Sequence, residues 1–308
     1  MSTIHSGTSF TLRYVRRATN TSTATNYGME VKVDQHDSIP IHSSLSTNGP
    51  WVHWNPNRPT KGLPSKYVLT KTHCSGYCSV CTDPDRFLET PRSFRVSCQQ
   101  GSKAVYDKET EEFSKVNGMY DADLVKKAIH MFRHPLDNIV ARFHLLYHRE
   151  ANNPESTFTT DFPNTAEGFH AWCKAHDEET SRKSDHPWLS KMIEGISLDN
   201  FDCHQEFLQY VQWHNNAFAT IRELDIPTLV MFYEDYSKNL DLAGERILTF
   251  LEADIGSEDD DDESSDEAEF TSGKTYLDFY TDTQKSAIKQ FLFELSSPDT
   301  WEYLRQYF

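Results

Sequence analysis

Ala128 to His144 reads AIHMFRHPLDNIVARFH, and this stretch decides the fold. With Lys127 in front of it, the run KAIHMF reads as a short strand buried on both faces, as in a parallel sheet. Pro135 then suits the first turn of a helix, where its missing N–H is not needed. Ile139, Val140, Phe143 and Tyr147 follow at helical spacing as far as Arg149. Strand passes directly into helix, with Arg133 and His134 at the junction.

Working outward, Lys66–Thr70 (KYVLT) and Thr228–Tyr233 (TLVMFY) read as two more buried strands. Helical patterns fill the intervals at Phe201–Glu223, Asp282–Glu294 and Pro298–Tyr307. Strands alternating with helices predict an α/β fold: one domain over 1–308, a right-handed parallel sheet flanked by helices. Each strand ends in polar residues: Lys71-Thr72-His73, Arg133-His134-Pro135 and Glu234-Asp235. Ligands of open parallel sheets bind at the carboxyl ends of the strands, so chemistry is expected there. Residues 34–64, rich in Ser, Asn, Pro and His, read as an irregular connection.

The composition suits a folded, acidic chain. Its 308 residues include 19 Phe, 14 Tyr and 6 Trp, enough to build a core. Ser257–Glu269 (SEDDDDESSDEAE) holds nine carboxylates, and setting them aside brings the net charge of −17 to about −8. This tract predicts an acidic, disordered insertion over 256–272. No basic excess points to nucleic acid, so an anionic ligand needs a local cluster of donors. No apolar run approaches the roughly 18 residues of a membrane span, and the chain as written reads as soluble.

Two loops invite a phosphate. Ala268-(four residues)-Gly273-Lys274-Thr275 nearly matches the nucleotide-binding pattern GxxxxGK[ST]. It is rejected, because the first glycine is missing and an acidic tract stands where a buried strand is needed. His5-Ser6-Gly7-Thr8-Ser9-Phe10 precedes the helical pattern of Thr11–Val15 and offers hydroxyls, backbone N–H groups and a helix dipole to an anion. Its plainer reading is a Ser/Thr helix cap.

Taken in order, this loop, YVLTKTHC (Tyr67–Cys74) and the Arg133 segment resemble the sulfotransferase family that uses 3′-phosphoadenosine 5′-phosphosulfate (PAPS). Phe232-Tyr233-Glu234-Asp235 is similar to the family's Tyr-Glu-Asp after a later strand. The resemblance spans roughly residues 5 to 250, with long unmatched stretches. It implies a P-loop-like fold and transfer of a sulfuryl group from PAPS to an acceptor hydroxyl, with a glycan as one acceptor class.

By that resemblance, Ser6, Gly7, Thr8 and Ser9 would cradle the 5′-phosphosulfate. Lys71 would hold the sulfonate, and neutral His73 would take the acceptor's proton. Arg133 would pair with the 3′-phosphate through its planar fork. The chain lacks the Arg-Lys-Gly donor segment of the family's cytosolic branch, of which Gly273-Lys274 is at best a remnant, and departs from the pattern at two further positions. His5 stands where the family has a loop lysine, and Ala141 stands where it has a phosphate-binding Ser. Asn138 and Arg142 are the neighbours able to replace that donor. No metal is expected at the site. Arg13, Arg16 and Arg17 share a helix face and read as solvated.

Only Met1–Ile4 precede His5, fewer than the about five or six residues of a strand, so a natural product starting upstream, with an anchor, is expected. Cys74, Cys78, Cys81 and Cys98 cluster in one stretch. Disulfides are the preferred reading, with reduced thiols and zinc as alternatives. Disulfides would imply a lumenal setting, such as the Golgi for an anchored product. Asn20-Thr21-Ser22 matches a glycosylation acceptor but is read as chance, on the first helix. Two functions lead, a PAPS-dependent sulfotransferase or a sulfotransferase-like nucleotide-binding module impaired in turnover; a nucleotide kinase of the related phosphate-loop group is disfavoured because no GK[ST] stands at the end of a strand.

Overall fold

The strand at Ala128–Phe132 and the helix after it form where the sequence places them. In the computed structural model, residues 6–25, 64–74, 90–107, 109–110, 112–119, 122–183, 193–256 and 275–308 are described. Met1–His5, Cys78, Cys81, Gly273, Lys274, the connection over 34–64 apart from Pro64, and the insertion over 256–272 apart from Gly256 lie outside them.

In chain order the elements begin with helix α1 (Thr8–Thr19), strands β1 (Ala24–Thr25) and β2 (Thr70–Lys71), and helix α2 (Pro91–Gln99). Strands β3 (Gln100–Asp107), β4 (Glu112–Met119) and β5 (Ala128–Phe132) follow. Next come helices α3 (Pro135–Glu150), α4 (Phe158–Asp161), α5 (Ala166–Lys183) and α6 (His204–Glu223). Strand β6 (Thr228–Phe232) and helices α7 (Tyr233–Lys238), α8 (Leu240–Leu251), α9 (Asp282–Leu295) and α10 (Pro298–Leu304) complete the set.

Helix and strand are thus mixed, with helix dominant, and the sheets are small. Among the described residues three two-stranded pairs occur: β1 with β2 and β5 with β6, both parallel, and an antiparallel hairpin of β3 with β4. All five residues of β5 are buried, and they divide by the period-2 rule. Ile129 and Met131 enter one apolar cluster with Phe10 and Val15 of α1 and Ile247 and Leu251 of α8. On the other face Phe132 joins Ile139 and Phe143 of α3, Phe169 and Trp172 of α5, Phe207 and Tyr210 of α6 and Phe291 of α9.

The structure corrects several expectations. KYVLT reads as a fully buried strand, but only Thr70–Lys71 pairs, and Tyr67, Val68 and Leu69 are half-buried. Its partner β1 supplies two residues, too short a ladder to order a longer strand. Strand β6, read as buried on both faces, is half-buried except at Met231. The β3–β4 hairpin is not anticipated at all. The helix read from Phe201 begins at His204, after Cys203 at φ 67°. Helix α1 ends at Thr19, so Asn20 sits in the left-handed turn beyond it rather than on it. Part of 151–200 is α4 and α5.

Among the described residues two disulfides tie elements together. Cys74–Cys98 ties the end of the β2 segment to α2, and Cys173–Cys203 ties α5 to the start of α6. Within the four-cysteine stretch the structure therefore joins the outer two. Cys173 and Cys203 pair across 30 residues without any local signal.

Candidate functional site

Register brings the site together. Ala128 lies opposite Thr228 and Phe132 opposite Phe232, so Arg133 and Tyr233 leave the β5–β6 ladder side by side. The Arg133 guanidinium lies over the Tyr233 ring, 4.4 Å from its centroid, a cation–π contact that orients the fork. Arg133 is buried. Its carbonyl accepts a 2.6 Å hydrogen bond from the hydroxyl of Tyr210 on α6.

Gly7 precedes α1 at φ 87°, the left-handed region that glycine alone enters without strain. A Cβ there would meet the Tyr233 ring at 2.8 Å, so the loop is pressed against the end of β6. No side chain caps α1 at Gly7, which sets aside the plain Ser/Thr cap at that position. Ser6, fully buried, accepts from the Asn138 amide Nδ2 at 3.4 Å, and Asn138 is fully buried in the first turn of α3. Lys71, at the end of β2, donates from Nζ to Ser9 Oγ at 3.1 Å.

Three segments far apart in the sequence thereby meet. Ser6, Gly7, Thr8 and Ser9 form the loop and first turn, Lys71 closes over Ser9 from β2, and Asn138, Arg133 and Tyr233 line the β5–β6 side. His73 follows Lys71 by two positions, within about 7 Å of it by chain length alone. Its carbonyl accepts from Trp213 Nε1 at 2.8 Å, and its ring is half-buried. Arg142 is directed elsewhere, into an ion pair at 3.1 Å with buried Glu206 of α6, which also contacts His176 Nε2 at 3.2 Å. Ala141 is half-buried on α3 and brings no donor. His5 lies outside the described residues. Arg13 and Arg17 are exposed on α1 and Arg16 is half-buried.

The turn from β5 to α3 is held more elaborately than its sequence suggests. His134 caps α3, its Nδ1 accepting the Leu136 N–H at 3.3 Å. Burial holds the His134 ring down to about 4, so the imidazole is neutral around pH 7. Asp137 accepts the Tyr276 N–H at 2.6 Å, and burial raises its carboxyl above the usual range against that hydrogen bond. Thr275, the last residue of the rejected phosphate pattern, donates to Asp137 at 3.4 Å, so its described contact is to a carboxylate. Glu234 accepts from the His134 N–H and from the Tyr307 hydroxyl, both at 2.8 Å.

Tyr210 and Tyr307 are the site residues that sequence reading misses. Tyr210 stands among apolar residues at helical spacing, and Tyr307 ends an amphipathic segment, so periodicity marks neither as a site residue.

Chemically, the site sets two cations, Lys71 and Arg133, around a glycine turn at a helix N-terminus, with hydroxyl and amide donors between them. That combination suits an anionic ligand with more than one charged group. Among the described residues no group of three or more His, Cys, Asp and Glu is placed to hold a metal ion, and no helix is long and apolar enough to cross a membrane. Compared with known proteins, the chain matches no family model, no curated protein and no solved structure.

Proposed function

We propose that the chain is a PAPS-dependent sulfotransferase acting on an acceptor hydroxyl, with carbohydrate as the acceptor class. One observation carries the reading. Ser6–Ser9, Lys71 and Arg133, the three pieces that resemble the family, are contiguous in space although up to 132 residues separate their contacts. On this reading the fold is P-loop-like, and β1–β2 and β5–β6 are the described parts of its parallel sheet.

In this reaction the acceptor oxygen attacks sulfur as the bond from sulfur to the phosphate oxygen breaks, in line and with charge spread over the sulfonate oxygens. Lys71 and the N–H groups at the start of α1 stabilise that charge. His73 takes the acceptor proton, and Arg133 selects the donor by its 3′-phosphate. Disulfides Cys74–Cys98 and Cys173–Cys203 favour a lumenal or secretory compartment, where such bonds persist.

Transfer of labelled sulfate from PAPS to a panel of hydroxyl acceptors tests the reading. The wild-type chain should turn over, and His73→Ala should lose at least roughly a hundredfold in kcat. Equal turnover by both removes His73 as the base. A second reading, a nucleotide-binding module without turnover, draws on Ala141 and on the engagement of Arg142 with Glu206. It expects binding of adenosine 3′,5′-bisphosphate by calorimetry with no transfer to any acceptor.

A further inference from the structure

The peptide unit joining Arg133 to His134 is held at both ends. Its carbonyl accepts from Tyr210 at 2.6 Å, and its N–H donates to Glu234 Oε1 at 2.8 Å. The second oxygen of Glu234 accepts from the Tyr307 hydroxyl at 2.8 Å, and the His134 ring packs against Tyr307. A closed ring of contacts therefore runs from His134 to Glu234 to Tyr307 and back to His134. His134 lies 4.8 Å from Tyr307 and 5.8 Å from Phe308, centroid to centroid. Glu234 directly follows Tyr233, the residue on which the Arg133 guanidinium rests. The same ring thus fixes the backbone beneath Arg133 and the platform beside its side chain.

We infer that Tyr307 and Glu234 are positioning residues that set the Arg133 fork for a 3′-phosphate, so that residues 305–308 govern discrimination between adenosine 3′,5′-bisphosphate and adenosine 5′-monophosphate. The inference rests on the donor reading given above. Its physical basis is that a planar guanidinium recognises phosphate through paired, directional bonds, which tolerate little rotation of the backbone that carries it. Removing the Tyr307 hydroxyl leaves a carboxylate oxygen of Glu234 without its donor, and the carboxylate then re-orients away from the His134 N–H.

Calorimetry on the full chain, wild type against Tyr307→Phe and Glu234→Gln, tests this with both nucleotides. The ratio of the two dissociation constants should fall by roughly tenfold in each variant, the scale of one lost hydrogen bond to a charged group, with 5′-monophosphate affinity nearly constant. A ratio left unchanged, or an equal loss for both nucleotides, overturns the positioning role. Backbone hydrogen exchange of the free protein gives a readout that needs no ligand. In both variants the amides of 134–138 should exchange faster while those of β5 remain protected, and unchanged exchange over 134–138 also overturns the inference. A wild-type chain that binds neither nucleotide sinks the donor reading and the phosphate role with it, leaving exchange to decide the latch alone.

Discussion

The two sides of the candidate site are held very differently. On the Arg133 side, β5 and β6 pair over five residues, and α3, α6 and the contacts of Tyr307 grip the turn that follows. On the Lys71 side, β1 and β2 pair over two residues, and the chain beyond is secured by the Cys74–Cys98 disulfide and by the Trp213 bond to the His73 carbonyl. The contrast fits the proposed donor reading: the side assigned to a fixed phosphate gains from a backbone held in one conformation, whereas the side assigned to the acceptor tolerates a looser frame.

Four measurements sharpen or break this contrast. The largest effect is expected from Phe132→Ala, which empties a fully buried position at the end of β5 and should lower stability by about 3 to 5 kcal/mol in urea denaturation. A loss below about 1 kcal/mol would mean that the β5 side is no stiffer than its counterpart.

Replacing Cys74 and Cys98 together by Ser should lower stability by roughly 3.5 kcal/mol, the chain-entropy value for a bridge across 24 residues. The same change should raise hydrogen exchange over Tyr67–His73 while leaving β5 protected. Uniform loosening of both would contradict the division of labour.

The third concerns pH. Burial lowers His134 to about 4, and it lowers His130 and His214, joined in the core by a 2.7 Å contact between His130 Nε2 and His214 Nδ1, well below the ordinary value. In each case the unfolded chain binds a proton that the folded one refuses, so stability falls as pH drops below about 6.5. His176 and His204 act in the opposite sense. Burial works against their charge, but Glu206 and Asp177 raise them overall, so their contribution is complete below 6.5 and fades as pH rises through their folded values. His134→Asn keeps a capping side chain and isolates one group. It should remove about 2 kcal/mol of the loss between pH 6.5 and 5, measured as the difference between urea curves at the two pH values. An unchanged slope would show that His134 is not held neutral by the fold.

The smallest stability effect, with the sharpest functional one, is expected from Gly7→Ala. A Cβ at φ 87° and 2.8 Å from the Tyr233 ring should cost about 1 to 2 kcal/mol of stability. It should weaken adenosine 3′,5′-bisphosphate by tilting the Tyr233 platform. Full binding by this variant would separate the loop from the Arg133 side.

Much of this was legible in advance, and the reasons are local. Continuous apolar character over Ala128–Phe132 and 3.6-residue spacing after Pro135 report what each element buries, which depends on near neighbours in sequence. The polar strand ends marked where Lys71 and Arg133 would emerge. KYVLT misled because an apolar run carries no information about how long its partner strand is. The β3–β4 hairpin escaped because Lys and Gly interrupt its alternation, and Arg142 looked available until α6 brought Glu206 against it.

By itself, then, the sequence determined the mixture of helices and parallel strands and the junction at Arg133-His134-Pro135. The tertiary structure alone decided that Cys173 meets Cys203, that Asn138 reaches Ser6 and that Tyr307 closes on Glu234 across 73 residues. Periodicity encodes which face of an element is apolar, and each of these contacts depends instead on where the chain returns, a property of the whole packing.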